Sequence, residues 1–139
     1  MKKLIGIVAV VCVALTAVAV ASAKQHETML GAKLDAMQDH ATSKGTGTFT
    51  ATIAGSKLSW HLSFSHLTGK AVAAHIHLGA KGKSGNVLIP LCGPCTKSAM
   101  GTVKLNAMEL RDLTKAATYV NVHTAKYPNG EIRGQIAAH

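Results

Sequence analysis

From Thr46 onward the chain alternates apolar and polar residues in short runs separated by glycines. Thr48-Phe49-Thr50-Ala51-Thr52-Ile53 puts Phe49, Ala51 and Ile53 on one face and the threonines on the other. That period of two in β-forming residues predicts a half-buried strand. Ala54-Gly55-Ser56-Lys57 turns the chain, and the following run sets Leu58, Trp60, Leu62, Phe64 and His66 against Ser59, His61, Ser63 and Ser65. The two runs predict a β-hairpin.

The same pattern predicts strands over residues 71–78, 86–89 (ending at Pro90), 101–105, 118–124 and 131–137. The last two are joined by Tyr127-Pro128-Asn129-Gly130, whose Asn-Gly pair is a hairpin signal. Asn106 and Glu109 have capping-box spacing before the helix formers of residues 107–116, which predicts one short helix. Residues 28–41 are ambiguous. Leu30, Leu34, Met37 and Ala41 make a helical stripe, while Leu30, Ala32 and Leu34 also alternate. About seven short strands with regular turn signals predict an all-β antiparallel sandwich or barrel rather than an α/β fold.

The N-terminus changes the picture of where such a domain works. Lys2 and Lys3, the apolar stretch from Leu4 to Val20 and the small residues Ala21-Ser22-Ala23 are the three parts of a secretory signal peptide. The apolar stretch borders the length of a membrane span, but its Ala-Ser-Ala ending favours cleavage. Residues 1–23 are therefore expected to leave, and with them Cys12. Residues 24–139 then form one domain with a single core, without a stable membrane span, in a periplasmic or extracellular compartment.

The formal net charge of the chain is +9. Its lysines are scattered, arginines occur only at 111 and 133, and no aromatic residues interleave with a basic cluster. A nucleic-acid partner is not expected from this distribution. A basic exported protein suits association with an anionic envelope component, or simple solubility.

Candidate chemistry gathers on two of the predicted strands. His75 and His77 share a face of one strand, about 6.7 Å apart along it. Tyr119, Asn121 and His123 share a face of another, leaving Val120 and Val122 for the core. If the strands are neighbours, His75, His77 and His123 converge, and neutral imidazoles suit copper or zinc. The alternative is structural: the three rings bond backbone carbonyls or Glu131 and fix the Gly-rich loop against the last hairpin. Glu131 and Arg133 form a polar row with Gln135, read as a Glu-Arg pair that orders the end of the sheet.

Two other motifs carry less. Gly82-Lys83-Ser84 imitates the tail of a phosphate-binding loop, but His77 stands where that motif needs glycine, and a strand rather than a helix follows. Cys92-Gly93-Pro94-Cys95 has the residues of a thioredoxin-type redox motif without the helix that would lower the thiol pKa. In an oxidising compartment these two cysteines are expected to pair as a local structural disulfide. A labile redox pair and thiolate participation in a metal site are the alternatives.

Two longer stretches, AAHIHLGAKGKSGNVLIPL at 73–91 and YVNVHTAKYPNGEIRGQI at 119–136, resemble the signature blocks of the CHRD domain. This module is named after chordin and is widespread in exported bacterial proteins. GTVKLNAMELRDL at 101–113 is similar to the strand and short helix that link the blocks. The resemblance implies an antiparallel Greek-key β-sandwich, immunoglobulin-like or superoxide-dismutase-like, and a first strand over residues 28–35. It implies little about activity. The Cys-Gly-Pro-Cys segment departs from the family's ordinary connection. The His75-x-His77 pair also looks like the His-x-His strand of copper-zinc superoxide dismutases, although Glu131, His61 and His66 would have to complete such a bimetallic site.

Taken together, the residues lead us to expect an exported CHRD-type sandwich acting as a non-catalytic binding or envelope-associated module. A copper- or zinc-binding protein using His75, His77 and His123, with superoxide-dismutase-like chemistry as an extension, is the first alternative. A thiol-disulfide protein using Cys92 and Cys95 is the second.

Overall fold

The computed structural model describes residues 26–37 and 41–139. The segment read as a signal peptide lies outside the described residues. The elements run β1 (Glu27–Asp35), β2 (Thr46–Ala54), β3 (Lys57–Ser65), β4 (Ala71–Leu78), β5 (Val87–Cys92), β6 (Ser98–Lys104), α1 (Ala107–Lys115), β7 (Thr118–Thr124), β8 (Ile132–Gln135) and β9 (Ala137–Ala138). The strands pair antiparallel in the order β5-β4-β7-β8-β1-β2-β3-β6, with β9 added beside β1. The β3-to-β4 and β6-to-β7 connections pass from one half of the sheet to the other, which gives the Greek-key connectivity. The short link between edge strands β5 and β6 holds the Cys92–Cys95 disulfide. It bonds both halves through Cys95 N–H to Ala71 O and Phe64 N–H to Lys97 O, so the sheet folds into a nearly closed sandwich.

Alternation builds this core. Phe49, Ala51 and Ile53 of β2 and Leu58, Trp60, Leu62 and Phe64 of β3 are buried together with Ala74, Ile76, Val120, Val122 and Ile132. Each fully buried Leu, Ile or Phe contributes about 2 kcal/mol of hydrophobic stabilisation. The β2–β3 register runs from Thr46↔Ser65 to Ala54↔Lys57, so Gly55, at φ 61°, and Ser56 make the tight turn. Within the ambiguous N-terminal segment, residues 28–35 lie in strand β1, which pairs with β2 along its whole length. α1 has its capping box: Asn106 Oδ1 accepts from the N–H groups of Met108 and Glu109, and Glu109 Oε2 accepts from the N–H of Asn106.

Three boundaries differ from the sequence pattern. β5 continues through Pro90, because β5 is an edge strand and an edge tolerates a residue without an N–H. β6 starts at Ser98, drawn into pairing by Ser63 of β3, and its Gly101 lets the Trp60 indole lie against the backbone. The expected last strand is divided: β8 pairs β7, while β9 pairs β1. His66 also departs from the pattern. It lies just past β3, exposed and at φ 58°, instead of on the core face.

Candidate metal centre

β4 and β7 are neighbours, with Ala73 opposite His123, His75 opposite Asn121 and His77 opposite Tyr119. Because Ala74, Ile76, Val120 and Val122 take the core face, the three histidines project from the other. Their ligand atoms lie within 4.8 Å of one another. The ring centroids of His75 are 5.5 Å from those of His77 and 5.0 Å from those of His123.

Backbone carbonyls determine which nitrogens are free. His77 Nδ1 is 3.0 Å from Gly85 O, and His123 Nδ1 is 2.9 Å from Pro128 O. A carbonyl only accepts, so in both rings Nδ1 carries the proton and Nε2 the lone pair. His123 Nε2 accepts from His75 Nδ1 at 3.1 Å. His77 Nε2 is buried and has no hydrogen-bond partner. An imidazole fixed through Nδ1–H to a carbonyl, with Nε2 aimed inward, is the arrangement that orients metal-binding histidines.

The electrostatics favour neutral rings. Burial pushes the His75 pKa down, and the neighbouring His123 and His77 push it further. Burial likewise lowers that of His77; the bond to Gly85 opposes this, and His123 and Arg133 reinforce it. Rings held neutral need not lose a proton to bind a metal.

Around the histidines lies a buried polar layer. The Tyr119 ring stacks on His77 at 4.9 Å and carries the Arg133 guanidinium 3.3 Å from its centroid. The Gly-rich loop covers it: Arg133 donates to Ala80 O, Gln135 to Gly79 O, and Gly85 N–H to the Tyr119 hydroxyl. Among the described residues, the buried polar atoms without a partner are Trp60 Nε1 and four in this layer: His77 Nε2, Asn121 Oδ1, Arg133 Nε and Gln135 Oε1. The pattern marked Tyr119, Asn121 and Gln135 as polar, but nothing in it marked the Gly85 and Pro128 carbonyls that hold the rings.

Other expected residues go elsewhere. Glu131 and Arg133 do not pair with each other. The Glu131 carboxylate is fully buried and accepts from the Ser43 hydroxyl at 2.6 Å, the Thr68 N–H at 2.7 Å, the Thr68 hydroxyl at 2.8 Å and the Thr124 hydroxyl at 2.7 Å. Burial alone would raise its pKa, but these bonds outweigh burial and hold it below the ordinary value. Glu131 thus ties the loops at 43 and 68 to β7 and supplies no metal ligand. His61 bonds Ser98 Oγ at 2.9 Å, and neither it nor His66 joins the cluster. Cys92 and Cys95 are bonded to each other, which removes thiolates from the centre.

The CHRD domain profile matches residues 30–136, from within β1 to just beyond β8. The chain belongs to the CHRD domain family. No curated protein and no solved structure matches the chain. All three clustered histidines and both cysteines of this CHRD domain fall within the matched span. Among the described residues no helix is long and apolar enough to cross a membrane.

Proposed function

We propose that this CHRD domain is an exported, non-catalytic binding module whose ligand is a single copper(II) or zinc ion held by His75, His77 and His123. The observation that carries this reading is the buried, unpartnered His77 Nε2 in a trio of histidines whose ligand atoms lie within 4.8 Å of one another. An orphaned buried acceptor costs about 1–3 kcal/mol, and coordination recovers it. With three imidazoles and no carboxylate in the cluster, the ion retains an exchangeable position, as an open zinc or copper site does. The basic charge supports loose association with an anionic envelope. Electron paramagnetic resonance of the copper(II)-loaded protein tests the centre: splitting from three nitrogens is expected, and a spectrum lacking nitrogen splitting overturns the reading.

The bonds to Gly85 O and Pro128 O favour a second reading, in which the rings only clamp the Gly-rich loop to the last hairpin. On that reading alanine at 75 and 77 lowers stability and leaves metal content unchanged.

A further inference from the structure

The two ends of the sheet are built differently. β5, at one end, contains Pro90, which has no N–H to offer, and its register against β4 shifts twice. Proline and irregular pairing are devices that keep an edge strand from pairing further. β6, at the other end, has seven residues in unbroken register with β3, no proline, and one charged side chain, Lys104 at its last position. The seam beside it is open: a depression of about 380 Å³ is lined by residues 98–103 together with Leu91, Cys92 and Pro94.

The direction of the backbone groups of β6 follows from the bonds at its two ends. Phe64 N–H donates to Lys97 O, and Leu105 N–H donates to Ser56 O. Antiparallel ladders alternate, so residues 97, 99, 101, 103 and 105 turn their N–H and C=O toward β3, and Ser98, Met100, Thr102 and Lys104 turn theirs away. Those four residues are exposed, and among the described residues no strand pairs with them on that side. One of their groups is engaged, Ser98 O, which accepts from the Thr96 hydroxyl and keeps a second lone pair.

This strand is complementary to itself about Gly101. A second copy laid antiparallel on a two-fold axis there sets Met100 against Thr102 of the copy and Ser98 against Lys104 of the copy, so all four outward residues of each strand fall in hydrogen-bonded pairs. Gly101 lies opposite Trp60, whose side chain is buried, so Ala99 and Val103 share the core side of β6 and meet each other across the axis, apolar on apolar. At the axis itself, where a non-hydrogen-bonded pair brings the chains closest, each strand carries glycine. The two Lys104 residues end about 20 Å apart along the ladder, beyond the screening length of about 8 Å at physiological salt.

We propose that β6 is a homodimerisation edge, on which a second copy of this chain adds its own β6 antiparallel about Gly101 and joins two β1-β2-β3-β6 halves into one continuous sheet. The edge shares no residue with the trihistidine cluster and does not depend on that cluster binding metal.

The test is sedimentation equilibrium of the purified protein, with a chelator present so that no metal bridges surface histidines. The mass is expected to rise from one chain toward two as the concentration passes from micromolar to millimolar, since an edge-to-edge interface is small. Each chain is strongly basic, so added salt is expected to tighten the dimer by screening repulsion between the copies. Met100→Pro deletes an outward N–H on each strand and leaves every bond to β3 in place, as an edge strand tolerates. Two lost hydrogen bonds are expected to weaken dimerisation by about tenfold or more. Thr102→Lys keeps the N–H, brings a lysine of each copy close to the axis, and is expected to weaken it as well. Unchanged circular dichroism and unchanged emission from Trp60, the one tryptophan, would show that both variants keep the β3–β6 ladder. A protein that stays monomeric across the concentration range would overturn the proposal and leave the edge to an extended segment of another protein. A dimer that both substitutions leave intact would overturn it by placing the interface elsewhere.

Discussion

His75 Nδ1 stands 3.1 Å from His123 Nε2 across the β4–β7 ladder. In the metal-free chain that spacing is a hydrogen bond between the two rings. It is also close to the separation of about 3.3 Å expected between two nitrogens on one tetrahedral zinc ion with bonds of about 2.05 Å. Because His75 Nδ1 carries the bonding proton in the metal-free chain, a metal-bound state with both nitrogens as ligands requires the proton to move to His75 Nε2, and otherwise the ring turns to present Nε2.

The lowered pKa values of His75 and His77 make the metal-free protein sensitive to acid. Between their folded values and the unfolded value of about 6.5, the unfolded chain binds more protons, so stability falls as pH drops below about 6.5. Thermal unfolding followed from about pH 7.5 to about pH 5 should show a falling Tm, flattened in the His75→Ala/His77→Ala protein. Equal slopes in the two proteins would contradict this assignment.

Glu131 has its own, lower window. Its depressed pKa contributes stability above the unfolded value of about 4.3 that is lost as pH falls through the folded value. Glu131→Ala strands the donors of Ser43, Thr68 and Thr124 and is expected to cost about 3 kcal/mol. The midpoint of urea unfolding reads this directly, and an unchanged midpoint would remove Glu131 from its bracing role.

Gly85 is a position where side-chain space decides function. A Cβ there would run into the backbone carbonyl of Leu78, so Gly85→Ala displaces the loop and with it the carbonyl that orients His77. Losing such an outer partner typically weakens metal binding by about 10- to 100-fold. Calorimetric titration with zinc should show that drop while the far-ultraviolet circular dichroism of the sheet is retained.

The disulfide closes a very short loop, so its loss is expected to cost at most about 2 kcal/mol. A Cys92→Ala/Cys95→Ala protein should stay folded and keep its full metal stoichiometry. A loss of bound metal in that protein would tie the cysteines to the centre.

How much of this the chain announces depends on how local the physics is. Alternation in Thr48–Ile53 and Leu58–Phe64, the Asn106–Glu109 box and the Asn129–Gly130 turn are properties of neighbouring residues, and the elements follow them. Pro90 stays inside a strand only because β5 ends the sheet, a fact of tertiary order. His75, His77 and His123 could be placed on faces by period, and their meeting required only that β4 and β7 be adjacent. The pairing of Glu131 with hydroxyls rather than with Arg133, and of His77 with Gly85 O, depends on where loops fold back over the sheet. Short-range pattern does not encode that.

Elemental analysis with copper(II) and zinc titration, comparing the purified protein with its His75→Ala/His77→Ala variant, tests the central claim most directly. The trihistidine account predicts one tightly bound equivalent that is lost in a variant still folded by circular dichroism. Equal metal content in the two proteins would contradict it and leave the rings as clamps for the Gly-rich loop.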